Sequence, residues 1–328
     1  MPLKNYGVLR AAIVDHRVAA DANAHFQLHA VAGATHMRIA VNVASQMQPS
    51  ELEYVIDSDY RHPILAELAA LPAGWNALES RGGGVALDFI RANLFDREAL
   101  RPLPFDVPGP DNDLNEKLAL YVRRAIADEQ ATAYAFGERW GPEDGLADKI
   151  FGFEPGGGVH DIHMNQSNVG RFREDDGVWQ DGALLLHFPA AEQWVAIFLT
   201  FQSQGWHTDD ATGHALAQPG DPPDGAVRIV AALVNAVQSP ETEFVTLLNT
   251  TAAAIDLAGW RLADRAAHTM ALDGTIAAGE TLRVQLTPQV ALPNGGGSIT
   301  LLDAAGLKVD GVAYTGERAA EPGRTLAF

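Results

Sequence analysis

Apolar and polar residues alternate in several short runs along the first two hundred residues of the chain. Such alternation puts every second side chain on the same face, which is typical of a β-strand. It predicts strands within residues 6–16 and 26–45, the second of which contains RIAVNVAS. Further strands are expected at KIFGF (149–153), GALLLHF (182–188) and WVAIFLTFQ (194–202).

Two segments show helical spacing instead. Residues 111–136, DNDLNEKLALYVRRAIADEQATAYAF, carry apolar residues three or four positions apart and are expected to form the best-defined helix. Residues 49–71 begin with Ser50 and acidic residues, which favour a helix N-terminus, and Pro63 is expected to split that helix.

The last hundred residues differ from the rest, because strand-sized apolar runs such as EFVTLLN and SITLLD alternate there with Asn, Gly, Pro or Asp. That pattern is typical of an all-β sandwich, in which Trp260 is expected to lie in the core. The run ALAQPGDPPDG (215–225) holds three prolines and two glycines and is predicted to be a linker. We therefore predict an α+β, β-rich domain over residues 1–214, and an immunoglobulin-like sandwich over residues 226–328.

Two segments of the first domain align without gaps, LHAVAGATHMRIAVNVASQ (28–46) and LHFPAAEQWVAIFLTFQSQ (186–204). Six of 19 positions are identical. The spacing from His29 to Ser45 equals that from His187 to Ser203. A duplicated hairpin, one copy in each half of the domain, explains this pattern, and two unrelated hairpins of similar length explain it equally well.

Composition narrows the classes of function. The net charge is −19 at pH 7, which argues against a general nucleic-acid-binding surface because such a surface needs a basic excess. The chain has no cysteine, so disulfides and thiolate metal sites are excluded. No signal peptide and no membrane-spanning window is visible, so a soluble, cytoplasmic protein is expected, with non-classical export left open.

The stretch GGGVHDIHMNQSNVG (156–170) concentrates groups that bind metals and donate hydrogen bonds. If it is extended, Asp161, His163 and Asn165 share one face and His160 lies on the other. A helix would instead bring the two histidines together at i, i+3.

Histidine with carboxylate suits either a divalent metal (Zn, Mn or Mg) or acid–base catalysis. Further donors follow in His187, His207 and Asp209, and Arg139 offers a cation for an anionic group. The leading hypothesis is a hydrolase acting on a phosphoester or other ester, without an organic cofactor. Its expected catalytic residues are His163, Asp161, Asn165, His207 and Arg139. Its expected metal ligands are His160, His163, Asp161, His187, His207 and Asp209.

Other interpretations stay open. A polar loop often only satisfies its own backbone, and a histidine such as His187 in an apolar strand is commonly a hydrogen-bonded core residue. Neither H-E-x-x-H nor a phosphate-binding P-loop is present. The main alternative is a non-catalytic protein that binds a carbohydrate or a small polar ligand, and a purely structural scaffold is a third possibility.

Two resemblances rest on longer motifs. The first domain resembles the DUF2278 (YukJ-like) family of bacterial proteins, whose function is not established, and this resemblance implies no activity. It is carried by PLKNYGVL (2–9), PGPDNDLN (108–115), YAFGERWGPE (134–143), GVHDIHMNQSN (158–168) and FQSQGWHTDD (201–210).

The C-terminal segment resembles a lamin-tail domain. The motifs that carry this resemblance are EFVTLLN (243–249), IDLAGW (255–260), LPNGGGSITLLD (292–303) and VDGVAYT (309–315). It implies a tethering module that binds a protein or a surface.

Overall fold

The structure is a computed structural model. It describes residues 6–20, 25–44, 52–78, 94–96, 99–103, 113–161, 182–201, 225–238, 242–266, 268–304 and 308–328. Contacts divide the chain into two compact units: residues 1–60, 68–80 and 95–203, and residues 61–67, 81–94 and 204–328.

The first two hundred residues contribute ten strands, two α-helices and a 3₁₀ turn within the described ranges. They are β1 (Tyr6–Arg17), β2 (His25–Ala32), β3 (Thr35–Asn42), β4 (Leu52–Asp57), α1 (Ile64–Ala70), β5 (Gly74–Ala77), β6 (Arg101–Pro102), α2 (Asp113–Ala127), β7 (Thr132–Glu143), β8 (Gly156–His160), β9 (Gly182–Phe188), the 3₁₀ turn Pro189–Ala191 and β10 (Gln193–Phe201).

Five of these strands close into a barrel. Antiparallel pairing joins β1 to β2, β2 to β3, β8 to β7 and β7 back to β1, while β3 and β8 run parallel. Numbered within the barrel, the order is 1-2-3-5-4-1, and helix α2 directly precedes the fourth strand. This is the strand order of the OB fold, a five-stranded Greek-key barrel.

The barrel interior is apolar because alternate residues of each strand point inward. One strand after another contributes fully buried side chains such as Leu9, Leu28, Ile39 and Val159. Helix α2 adds one apolar stripe, whose members are four residues apart, to the same core: Leu114, Leu118 and Val122.

A second group of strands extends the sheet from β7 in the order β9, β10, β4 and β6. Strand β4 corrects the sequence interpretation, which placed a helix start at Ser50. Residues 52–57, LEYVID, pair with β10 from Ala196 to Phe201, and this long-range pairing outweighs the local helix signal. The helix appears only after Pro63, as α1.

The two aligned segments both form antiparallel hairpins, but their registers differ. His29 lies opposite Arg38, nine residues later, whereas His187 lies opposite Trp194, seven residues later. The turns have different lengths, so the gapless alignment does not pair equivalent positions. The hairpins therefore give the duplication hypothesis no structural support, and Ser45 and Ser203 lie outside the described residues.

The rest of the chain is built from short strands. They are β11 (Val227–Leu233), β12 (Phe244–Asn249), β13 (Ile255–Asp256), β14 (Arg261–Asp264), β15 (Thr269–Ala271), β16 (Thr275–Ile276), β17 (Thr281–Gln285), β18 (Gly296–Leu302), β19 (Lys308–Thr315) and β20 (Thr325–Ala327). They make two four-stranded sheets, β17-β12-β11-β20 and β15-β14-β18-β19, and the pair β13–β16. Trp260 is 4% exposed within their shared core, so its predicted place is confirmed.

The first domain is richer in strands than expected. The predicted helix 111–136 ends at Ala127, because residues 132–136 pair with β1 and β9 as part of β7. KIFGF is not a strand; residues 149–153 form turns in the β7–β8 loop. The α+β label for this domain stays a prediction. No helix in the described part of the chain is long and apolar enough to cross a membrane.

Gly182 permits a close backbone approach that a larger residue would block. A Cβ atom there would overlap the carbonyl oxygen of Asp161, so Gly182→Ala is expected to lower the free energy of unfolding by about 1–3 kcal/mol. The matched control is Gly295→Ala, where a Cβ meets nothing within 4 Å. Thermal unfolding of both variants checks this, and equal melting temperatures would contradict it.

Candidate functional site

The described residues include four of the predicted site residues: Arg139, His160, Asp161 and His187. His163, Asn165, His207 and Asp209 lie outside the described ranges. The roles predicted for the four residues outside the described ranges therefore stay predictions.

Asp161 directly follows the last residue of β8. Its N–H donates to the carbonyl of Ala40 at 3.1 Å, as in a continuing parallel ladder. Both of its carboxylate oxygens lie 3.2 Å from the backbone N of Asn42. They accept the N–H of Asn42, which a backbone carbonyl of β8 would accept if the parallel ladder continued. Asp161 is 1% exposed, so its carboxylate has a structural role at the end of β8.

His160 lies on the outer face of the barrel, opposite Glu138 of β7. Its ring meets His25 edge-on at 4.8 Å between centroids, and Trp140 at 5.7 Å. Trp140 in turn covers Gly158, where a Cβ would overlap the indole ring. The outer face of β2, β3, β8 and β7 is thus lined with imidazole and indole rings.

A buried ion pair fastens the β7–β8 loop to this face. The Arg38 Nε lies 2.7 Å from the Asp148 carboxylate, and the two side chains are 9% and 2% exposed. The guanidinium also stacks on Trp140 at 4.8 Å and donates to Gln27 at 2.8 Å. The other carboxylate oxygen of Asp148 accepts the N–H of Phe151 at 2.9 Å and that of the preceding residue at 3.0 Å.

These contacts set the charge state of Asp148. Burial alone would raise the pKa of its carboxyl group, but the hydrogen bonds from backbone N–H groups and from Arg38 outweigh burial and lower the pKa. The carboxylate therefore stays ionised beside Arg38, and the loop conformation depends on that charge.

The same loop places two phenylalanines against a histidine pair that the sequence analysis did not single out. The His29 ring stacks on Phe151 at 5.1 Å and on Phe153 at 5.0 Å. Its Nε2 lies 2.9 Å from the Nδ1 of His36 on the neighbouring strand. Since β2 and β3 were predicted, cross-strand pairing of the two histidines was the signal that could have identified them.

His187 does not join these groups. It lies opposite Thr132, the first residue of β7, whereas His160 lies opposite Glu138 in the middle of that strand. Six residues of extended strand separate these positions, or about 20 Å. The His187 ring stacks on Trp194 at 4.1 Å, and burial together with the charge of Arg10 lowers the pKa of the imidazole.

Arg139 is one of the residues that line a cavity beside β3, β7 and the start of β8. The cavity has a volume of about 250 Å³. It lies between the β2–β3 turn and the two ends of the β7–β8 loop, with Thr35, His36, Trp140 and Glu154 among its lining residues. The Arg139 Nε is buried and has no hydrogen-bond partner among the described residues.

The described residues hold no cluster of three or more histidine, aspartate or glutamate side chains placed to bind one metal ion. Because three of the predicted ligands, His163, His207 and Asp209, lie outside the described ranges, this leaves the predicted metal centre untested.

Fold and site together define a two-domain protein: an OB-type barrel with a polar, aromatic cavity beside β3 and β7, and a β-sandwich. The chain belongs to the family of uncharacterized conserved proteins DUF2278, whose model matches residues 1–213. Residues 221–316 match the Lamin Tail Domain. Both predicted resemblances are thereby confirmed.

A curated relative is described only as "Uncharacterized protein YukJ", from Bacillus subtilis (strain 168). It is 42% identical over 214 residues, which cover 64% of this chain and 93% of that protein. No solved structure matches the chain significantly.

Removing the charge of Asp148 tests whether its ion pair with Arg38 holds the β7–β8 loop against the outer face of the barrel. Asp148→Asn leaves the Arg38 guanidinium buried without its counter-ion, so a loss of about 3–5 kcal/mol in unfolding free energy is expected at pH 7. Because the pKa of Asp148 is lowered in the folded state, its contribution is present above the unfolded pKa and is lost as the pH falls through the folded pKa.

Urea unfolding at pH 7 and at pH 3 checks this expectation. Wild type and variant should converge towards pH 3. The exposed pair Arg324–Glu321 provides the control, since Glu321→Gln should change stability by less than about 1 kcal/mol at either pH. An equal difference between wild type and Asp148→Asn at both pH values would contradict the assignment.

Proposed function

We propose that the barrel is a binding domain for a small polar ligand that carries one anionic group, a carboxylate or a phosphate. The observation that carries the proposal is Arg139 in the cavity. An arginine Nε–H that is buried without an acceptor costs about 1–3 kcal/mol, and a ligand oxygen would remove that cost. Arginine also matches carboxylate and phosphate oxygens through its planar fork of donors.

The other lining residues narrow the class of ligand. Trp140 offers an apolar ring face, and His36 and Thr35 offer hydrogen bonds. Glu154, an exposed lining residue, disfavours a second negative charge on the ligand. The volume of about 250 Å³ is below the usual range for drug-sized pockets, so one sugar acid or one unit of a longer polymer is a suitable occupant.

The location of the cavity in the fold supports the proposal by analogy with other OB-type barrels. In OB-type barrels, oligonucleotides and oligosaccharides bind on the second and third strands, beside the loop between the fourth and fifth strands. The cavity lies against β3 and the equivalent loop, β7–β8. The net charge of −19 favours the sugar over the nucleic acid.

Replacing Arg139 separates binding from stability. Arg139→Leu removes a buried donor that has no partner among the described residues, so the free energy of unfolding should stay unchanged or rise by about 1 kcal/mol. The same change should abolish binding of D-glucuronate and of inorganic phosphate. The matched control is Arg101→Leu, an exposed arginine of the same domain.

Two measurements test the predicted loss of ligand binding. Calorimetric titration reports binding, and NMR detection of arginine Nε–H resonances shows whether Arg139 responds. A wild-type protein that binds neither probe, or an Arg139→Leu variant that binds as well as wild type, would contradict the proposal.

The hydrolase hypothesis remains the second candidate, and the polar composition of the sequence that follows β8 favours it. His160 and Asp161 mark the end of β8, from which residues 162–170 continue with His163 and Asn165. In that proposal His163 and His207 bind a divalent metal or act as base and acid, and Arg139 stabilises the developing charge.

Elemental analysis tests the metal-dependent form of this hypothesis. Untagged protein purified without chelator should contain about one equivalent of metal, which His163→Ala should lose and His268→Ala, in the second domain, should keep. A metal-dependent phosphodiesterase or esterase activity should disappear with the metal. Wild-type protein without bound metal would contradict the metallohydrolase.

A further inference from the structure

The outer face of β2 and β3 holds two imidazoles whose nitrogen atoms face one another. The His29 Nε2 and the His36 Nδ1 are 2.9 Å apart. The residues are diagonal neighbours, because His29 lies opposite Arg38 and His36 opposite Val31. Strand pairing therefore fixes the separation of the two backbone positions.

The rings are also held in orientation. The His29 ring stacks on Phe151 at 5.1 Å and on Phe153 at 5.0 Å, and Phe153 also contacts His36 at 5.8 Å. These contacts restrict rotation of the His29 side chain, so little rotamer freedom is left to lose on binding a ligand. His36 is exposed, which leaves an open path from solvent.

We infer that His29 and His36 form a binding site for a divalent transition-metal ion of the Cu²⁺ or Ni²⁺ type. Metal–nitrogen bonds of about 2.0–2.1 Å at a right angle place the two nitrogens about 2.9 Å apart, whereas a tetrahedral angle places them about 3.4 Å apart. The observed separation fits the right angle of a square-planar or octahedral ion.

Two carboxylates lie close enough to His29 to act on it electrostatically. Burial and the neighbouring His36 lower the pKa of His29, while the negative charges of Asp15 and Asp148 act in the opposite direction. Arg17 is the nearby positive charge on β1, and its guanidinium is paired with Asp15 at 2.7 Å and stacked on Phe151 at 5.3 Å.

Metal binding replaces a hydrogen bond between the imidazoles. In the neutral pair, one of the two facing nitrogens carries a proton. That proton moves to the other nitrogen of its own ring when both facing lone pairs turn to the metal. No net proton is released, and no oxidant or reductant takes part. Water completes the coordination shell, and the inference does not rest on the anion-binding function proposed for Arg139.

Copper titration of the full-length, untagged protein tests the inference. After treatment with chelator, wild type should bind one equivalent of Cu²⁺ with an electron paramagnetic resonance spectrum showing two nitrogen ligands. His29→Asn and His36→Asn should each weaken that equivalent by about tenfold or more. The control His187→Asn, which removes an imidazole that also stacks on an aromatic ring, should bind as wild type does.

The two histidine variants allow a loss of metal binding to be distinguished from a loss of folding. His36 is exposed, so His36→Asn should leave the thermal unfolding unchanged, and it remains informative if His29→Asn misfolds. Undiminished Cu²⁺ binding in His36→Asn would overturn the site, and so would a wild type without a two-nitrogen spectrum. A metal lost in His163→Ala but kept in His36→Asn would belong to the predicted hydrolase centre instead.

Discussion

The parallel pairing of β3 and β8 is the constraint on which the first domain depends. It joins Arg38–Ala40 to Gly158–His160, which are about 120 residues apart in the chain. Without it the sheet would stay open between β3 and β7, and the barrel interior would lose one wall. Parallel pairing needs a long connection, and β4 to β7 with α1 and α2 supply that connection here.

The same pairing of β3 and β8 positions the residues of the candidate functional site. It brings the start of β3, with His36, beside the start of β8, and so encloses the cavity that Arg139 reaches from β7. At the other end of β8 it sets Asp161 under the N–H of Asn42, where a carboxylate ends the ladder. The β7–β8 loop then folds over the outer face, because Asp148 pairs with Arg38 and the loop phenylalanines cover His29.

Sequence reasoning identified what local pattern determines. Strands β9 and β10 follow from short apolar runs, and helix α2 from the four-residue spacing of Leu114, Leu118 and Val122. The two family resemblances were also confirmed. Residues 52–57 were assigned wrongly because their partner, β10, lies about 140 residues away. Closure of the barrel depends on pairings of the same kind, which no local pattern encodes.

The same contrast between local pattern and long-range pairing explains which residues of the candidate site could be predicted. Arg139 was identified as an anion-binding candidate from its residue type and neighbours, and the structure brings it to a cavity. His187 was grouped with His160 because the two are near one another in sequence, but their register along β7 separates them. The pair of His29 and His36 was missed because their contact depends on the register of β2 against β3, which the predicted strands left undefined.

The most direct test of this architecture is amide hydrogen exchange combined with nuclear Overhauser contacts, read at the β3–β8 pairing. If the barrel closes there, backbone protons of Ile39 and Val159 lie close together. The amides of Asn42 and Asp161 then exchange only on global unfolding of the domain. Rapid exchange at both amides, with no contact between the two strands, would mean that the barrel is open and that the cavity beside Arg139 does not exist in solution.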